Sequence, residues 1–112
     1  MSMCLIVLVL LSTSCQKNID SEGMVTLKIV SIGNTTTEHY KITSKTTALQ
    51  LLKTRHNVTL NLGSRAVKCI DNVCASSGYW WPMYTNGKIS TLGINAYYLK
   101  KGDEIEFKFA MR

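Results

Sequence analysis

The chain is predicted to fold as one small α+β domain, a mixed set of short strands with a single short helix, preceded by a signal segment. Three observations predict this. Apolar and polar residues alternate with period two in stretches on either side of one stretch of helical spacing. Gly- and Asn-containing turn pairs punctuate the chain at short intervals. A block of eight largely apolar residues, Cys4 to Leu11, stands near the start. With 112 residues there is room for one domain, and a domain of this size buries only a modest core.

Met24 to Val30 sets Val25, Leu27 and Ile29 against Thr26 and Lys28, the pattern of a half-buried strand. Gly33-Asn34 supplies a turn, and Thr37 to Ile42 returns with Tyr40 and Ile42 on one face and His39 and Lys41 on the other. Ser44 or Thr46 offers an N-cap for a helix through Ala48, Leu49, Leu52 and Lys53, ending by His56-Asn57. Val58 to Leu62 reads as a short strand, Gly63-Ser64 as a turn, and Ala66 to Ile70 as the first arm of a hairpin. If Asp71-Asn72 is its two-residue turn, Ile70 pairs with Val73 and Cys69 lies opposite Cys74. Such a non-hydrogen-bonded pair has Cα atoms about 4.5 Å apart, which a disulfide accepts. The spacing CxxxxC is neither a CxxC redox site nor half of a four-ligand zinc set, so no metal site is expected. His39 and His56 read as isolated histidines.

The densest segment is Tyr79-Trp80-Trp81-Pro82-Met83-Tyr84-Thr85, closed by Asn86-Gly87, a strong hairpin signal. Pro82 cannot donate to a ladder, so this strand is expected at an edge or bulged. Lys88 to Ser90 starts the return, Gly93 interrupts, and Tyr97-Tyr98-Leu99 follows. After Lys101-Gly102-Asp103 the last strand puts Ile105, Phe107 and Phe109 inward and Glu104, Glu106 and Lys108 outward. Asp103, Glu104 and Glu106 read as solvated.

The apolar block is too short for a membrane-spanning helix, which needs about 20 residues, but has the length of a signal-peptide core, about 7 to 15. Leu11-Ser12-Thr13-Ser14-Cys15 resembles the lipobox of prokaryotic lipoproteins. That resemblance implies a signal peptide over residues 1–14, lipidation of Cys15, a linker over 15–23 and the domain over 24–112. It places the protein outside the cytoplasm, anchored to a membrane, in an environment where a Cys69–Cys74 disulfide persists.

Gly78-Tyr79-Trp80-Trp81, Tyr84-Thr85-Asn86-Gly87-Lys88, Gly93-Ile94, Tyr98-Leu99 and Gly102-Asp103-Glu104-Ile105 together resemble the C-terminal β-domain of the transcobalamin and intrinsic-factor proteins. The resemblance covers nearly all of residues 24–112. It implies a β-grasp-like mixed sheet packed on one short helix. It also implies cobalamin or another corrinoid as a candidate ligand, with Trp80, Trp81, Tyr84 and Asn86 as the contact residues. Adjacent strand residues face opposite sides, so at most one of Trp80 and Trp81 belongs to the core and the other is the stronger binding candidate.

Other functions find less support. The net charge of +6 is spread from Lys17 to Arg112 with no basic stripe, so nucleic acid is not the expected partner. No nucleophile with a base, paired carboxylates or metal motif assembles from the sequence, so the protein is read as a binding module and not an enzyme. Two readings follow: a module for a small ring-shaped ligand, or a surface domain that binds another protein through an open strand edge.

Overall fold

The computed structural model describes residues 23–61 and 63–112. The predicted signal segment and Cys15 lie outside them, as does Leu62. Among the described residues no helix is long and apolar enough to cross a membrane.

The first two strands, β1 (Gly23–Ser31) and β2 (Asn34–Ile42), form a hairpin paired from Gly23↔Ile42 to Ser31↔Asn34. Its turn is Ile32-Gly33, with Gly33 at φ 66°, one residue earlier than expected. Asn34 therefore belongs to the strand. The alternation is as read from the sequence: Val25, Leu27, Ile29 and Ile42 are buried, while Lys41 and His39 are exposed.

The helix α1 (Ala48–Lys53) is capped by Thr47, not by Ser44 or Thr46. Gln50 decides the position, because it completes a reciprocal capping box: Thr47 Oγ1 accepts from the Gln50 N–H at 3.2 Å, and the Gln50 side chain accepts from the Thr47 N–H at 2.8 Å. The N–H groups of Ala48 and Leu49 donate to the carbonyls of Tyr97 and Ile94, so all four donors that a helix start leaves unpaired are satisfied. Six residues are too few for a stable isolated helix, and these partners, with burial of Ala48, Leu51 and Leu52, hold it in place. The core stripe uses Leu51 where the sequence suggested Leu49, which is only partly buried.

Beyond the helix come β3 (Val58–Leu60), β4 (Val67–Ile70) and β5 (Val73–Cys74), which form a three-stranded antiparallel sheet in that order. Asp71 and Asn72 both have positive φ, 48° and 71°, as a two-residue type I′ turn requires. The register is the expected one, Ile70↔Val73 and Cys69↔Cys74, and the two cysteines form a disulfide across a Cα separation of 4.0 Å. Replacing both cysteines by serine is expected to cost about 2 kcal/mol on the chain-entropy estimate. In a domain of this size that lowers the melting temperature by about 10 °C, measurable by thermal denaturation.

The remaining strands are β6 (Tyr79–Trp80), β7 (Met83–Thr85), β8 (Lys88–Ile89), β9 (Glu104–Lys108) and β10 (Ala110–Met111). The principal sheet is mixed, with order β2-β1-β9-β7-β8, and its central pair, β1 and β9, is parallel from Thr26↔Glu104 to Val30↔Lys108. A crossover is obligatory between parallel neighbours. Here it carries the helix, the disulfide sheet and the Trp-rich segment. Val25, Leu27 and Ile29 from β1, Ile105 and Phe107 from β9 and Met83 from β7 pack in one core with Ala48, Leu51 and Leu52 of the helix and Val67 and Ile70 of the smaller sheet.

Pro82 has the effect expected of it. The Trp-rich segment is not one strand: β6 pairs with β10 in a separate two-stranded ribbon, β7 pairs with β9 in the principal sheet, and Trp81 between them bridges to Val67. The partner strand breaks in phase at Phe109, whose N–H donates to Val30 at 2.8 Å. Phe109 is consequently half-buried, packed against the edge of the core and not inside it as Ile105 and Phe107 are.

Candidate functional site

The double break at Pro82 and Phe109 decides where the two tryptophans go. Trp81 points into the core, 3% exposed, where its indole N–H donates to the Val73 carbonyl at 2.9 Å and its ring lies 4.9 Å from that of Phe109. Trp80 is half-buried and borders a cleft of about 130 Å³. The cleft floor is made by Trp81, Met83, Ile94 and Phe107. Ile89 and Leu92, each about half exposed, and Arg65 complete its walls. The guanidinium of Arg112, fixed by donation from Nε to the Ser76 carbonyl at 2.8 Å, sits 5.9 Å from the Trp80 ring.

The other two sequence-derived candidates lie elsewhere. Tyr84 is paired with Glu106 and Ile89 across the principal sheet and does not line the cleft. Asn86 occupies the first position of the β7–β8 turn with φ 52°, followed by Gly87 at φ 87°. Its amide is engaged at both ends: Nδ2 donates to Asp103 Oδ1 at 3.0 Å, and Oδ1 accepts from the Glu104 N–H at 2.8 Å. These bonds tie the hairpin tip to the start of β9.

Asp103 is a correction to the sequence reading. It is 4% exposed, not solvated, and accepts from Asn86, from the Tyr97 hydroxyl at 2.8 Å and from the Lys100 N–H at 2.8 Å. Lys100 Nζ lies 3.9 Å from the same carboxylate. A buried carboxylate is tolerated only when its oxygens are paired in this way.

His56 is a second correction, because it is not isolated. Its Nδ1 lies 2.6 Å from Asp71 Oδ2 and its Nε2 lies 3.0 Å from Glu38 Oε1, so the ring donates from both nitrogens when protonated and links the edge strand β2 to the turn inside the disulfide loop. Partial burial opposes charge on His56, but the hydrogen bonds to the two carboxylates outweigh it and raise the imidazole pKa. Burial likewise pushes Glu38 and Asp71 up, yet Tyr40 and His56 hold Glu38 below its ordinary value, and His56 with the Asn57 N–H does the same for Asp71. Tyr40, partly buried and donating to Glu38 at 2.7 Å, is pushed up to about 12. Each imidazole nitrogen addresses a different carboxylate, which makes a bridge and not a convergent ligand set. Among the described residues no three His, Cys, Asp or Glu side chains are grouped to hold a metal ion.

The pH dependence follows from these directions. The raised His56 contribution is complete below its unfolded pKa of about 6.5 and is lost as pH rises through the folded value. The lowered carboxylate contributions are complete above their unfolded values of about 4 and are lost as pH falls through the folded ones. His56→Gln should therefore cost most near pH 5 to 6, about 1 to 2 kcal/mol for charge-assisted bonds, and less on either side. Most of this comes from the Glu38 arm, 17% exposed, since Asp71 is 50% exposed and screened by solvent. Urea denaturation of both proteins across pH 3 to 9 measures it; a difference independent of pH would show that the bridge carries no charge.

A family model described as a domain of unknown function, DUF4430, matches residues 45–110. The chain belongs to this family. The match runs from just before the helix through β9 and into β10, and so contains both the cleft and the disulfide loop. No curated protein matches the sequence. Among solved structures, haptocorrin in complex with Cbi is similar with a TM-score of 0.70 and 16% identity over 86% of this chain, and the chain spans 27% of that protein. A proposed metal-binding protein from Ruminococcus gnavus ATCC 29149 is similar with a TM-score of 0.68 and 12% identity, covering 81% of this chain and 99% of that one. At these identities the likeness is one of fold. The transcobalamin-like β-domain expected from the sequence is supported at that level.

Arg65, Ile89 and Leu92 had no signal in the sequence as site residues. Arg65 and Leu92 come from turns remote from the Trp pair, and only the sheet packing brings them to it.

Proposed function

We propose that this DUF4430 member is an extracytoplasmic binding module, anchored through a lipid on Cys15, which uses the cleft beside Trp80 to contact a flat, ring-shaped ligand, with a corrinoid as the leading candidate. The observation that carries the reading is the half-buried indole of Trp80 at the border of an apolar cleft, a surface suited to an amphipathic ring. The parallel β1–β9 pair with the helix in its crossover supports a β-grasp-like description of the domain. The likeness to haptocorrin, a protein solved with Cbi, supports the corrinoid class. Pockets that enclose a whole ligand measure about 300 to 1,000 Å³. At about 130 Å³ the cleft takes the edge of such a ligand, the rest of which would rest on a second domain or partner.

Titrating the oxidised protein with cobinamide and cobalamin while following tryptophan emission and heat tests this. Saturable quenching that Trp80→Ala reduces at least tenfold in affinity is the expected result. An absence of heat and quenching at millimolar ligand would leave the second reading, a protein-interaction domain. That reading is favoured by one feature: β2, nine residues long, stands at an edge of the principal sheet with no neighbour on its outer side among the described strands.

A further inference from the structure

The cleft has one charged residue in its wall, and the way it is held suggests what the ligand presents there. Arg65 follows Ser64, which has a positive φ of 57°. Its carbonyl accepts from the Ile94 N–H at 3.0 Å. Gly93 lies directly beneath it: a Cβ at that position would stand 3.1 Å from both the Arg65 Cβ and the Arg65 carbonyl oxygen, tighter than ordinary packing. Glycine thus allows the Arg65 backbone to close on the loop that carries Leu92. The loop is itself fixed, since Ser90 Oγ donates to the Leu92 carbonyl at 3.0 Å and accepts from the Leu92 N–H at 3.1 Å, and the Ser90 N–H donates to Met83 at 2.8 Å.

Arg65 is exposed, and among the described residues no carboxylate lies within ion-pair distance of it. The chain places an always-charged, fork-shaped donor in the wall of an apolar cleft. The hollow, about 130 Å³, compares with the roughly 150 Å³ of an apolar protein cavity that accepts benzene. There is room for a single six-membered ring.

We propose that the Trp80 cleft is a subsite for one aromatic ring bearing a carboxylate, with the ring against Trp80 and Leu92 and the carboxylate paired to Arg65. This rests on the reading of the cleft as a site for a flat ring and gives that ring a chemistry of its own, distinct from a corrinoid edge. It assigns to Arg65 the selection of an anionic group, which a Trp face alone does not provide.

Phenylacetate and its neutral isostere phenylacetamide are the probes, titrated into the oxidised full-length protein in detergent at low ionic strength. Trp emission and the Trp80 indole resonance serve as readouts. Phenylacetate is expected to bind at least tenfold more tightly than phenylacetamide. Arg65→Gln should abolish that ratio by weakening phenylacetate far more than phenylacetamide, and Arg65→Lys should restore part of it. Added salt should shrink the ratio in the native protein. Equal affinity for the two probes, or a ratio unaltered by Arg65→Gln, would overturn the anionic subsite and leave the ring-binding reading intact. Neither probe binding while cobinamide still quenches Trp80 would also overturn the subsite alone. Failure of both probes and of cobinamide would remove the subsite and the small-ligand reading together.

Discussion

Trp81→Ala is expected to destabilise the domain by about 3 to 5 kcal/mol, the usual cost of emptying a buried tryptophan site. Trp81 touches both layers of the core, and its N–H is the partner of the Val73 carbonyl beside the disulfide hairpin. Its loss removes packing around Phe109 and the indole bond that ties the smaller sheet to the Trp-rich segment. Domains have a net stability of about 5 to 15 kcal/mol, so this change alone consumes much of the margin. The melting temperature should fall by roughly 15 to 30 °C. Trp80→Ala, made at a half-buried position outside the core cluster, should cost about 1 to 2 kcal/mol and act chiefly on ligand binding. Urea denaturation of the two variants side by side checks the division. Equal losses of stability would mean that both rings are core, and the cleft would lose its best contact residue.

Asp103→Ala is expected to cost about 2 kcal/mol, because it removes a buried carboxylate that three donors share: the Asn86 amide, the Tyr97 hydroxyl and the Lys100 N–H. Asp103→Asn should rescue only part of this, since its NH2 group would face at least one of the same donors. Asn86→Ala should lower stability through the same network, as the β7–β8 tip loses its bonds to Asp103 and Glu104. A double-mutant cycle between Asn86 and Asp103 isolates their coupling, expected at about 1 kcal/mol or more. If Asn86→Ala instead weakened ligand binding with stability unchanged, the amide would belong to the site and not to the scaffold.

Much of the local architecture was legible before the fold was known, for reasons that operate over a few residues. Asp71-Asn72 and Asn86-Gly87 are tolerant of positive φ, and all four adopt it. Once the first turn is known, the Cys69–Cys74 register follows, because in a hairpin the turn sets which residues face each other. The alternation in β1 and β9 identified Val25, Leu27, Ile29, Ile105 and Phe107 as core, and each is buried. The N-cap falls on Thr47, and not on Ser44 or Thr46, because it is Thr47 that Gln50 reaches back to. In β2, the turn moved by one residue because Gly33 serves the second turn position with Ile32 before it.

What the sequence by itself determined is most of the strands, the helix, the Asp71-Asn72 and Asn86-Gly87 turns, the disulfide pairing and the limit of at most one core tryptophan in the pair, since each depends on neighbours a few bonds apart. Which tryptophan, and what surrounds the other, was decided by tertiary structure. The break at Pro82 sends Trp81 toward Val67 and leaves Trp80 beside Leu92 and Arg65. The burial of Asp103 and the His56 bridge were decided there too. Their partners stand 17 residues away for Asn86 and Asp103, and 18 for Glu38 and His56. A charged side chain carries no mark of being buried until the chain has brought the groups that neutralise it.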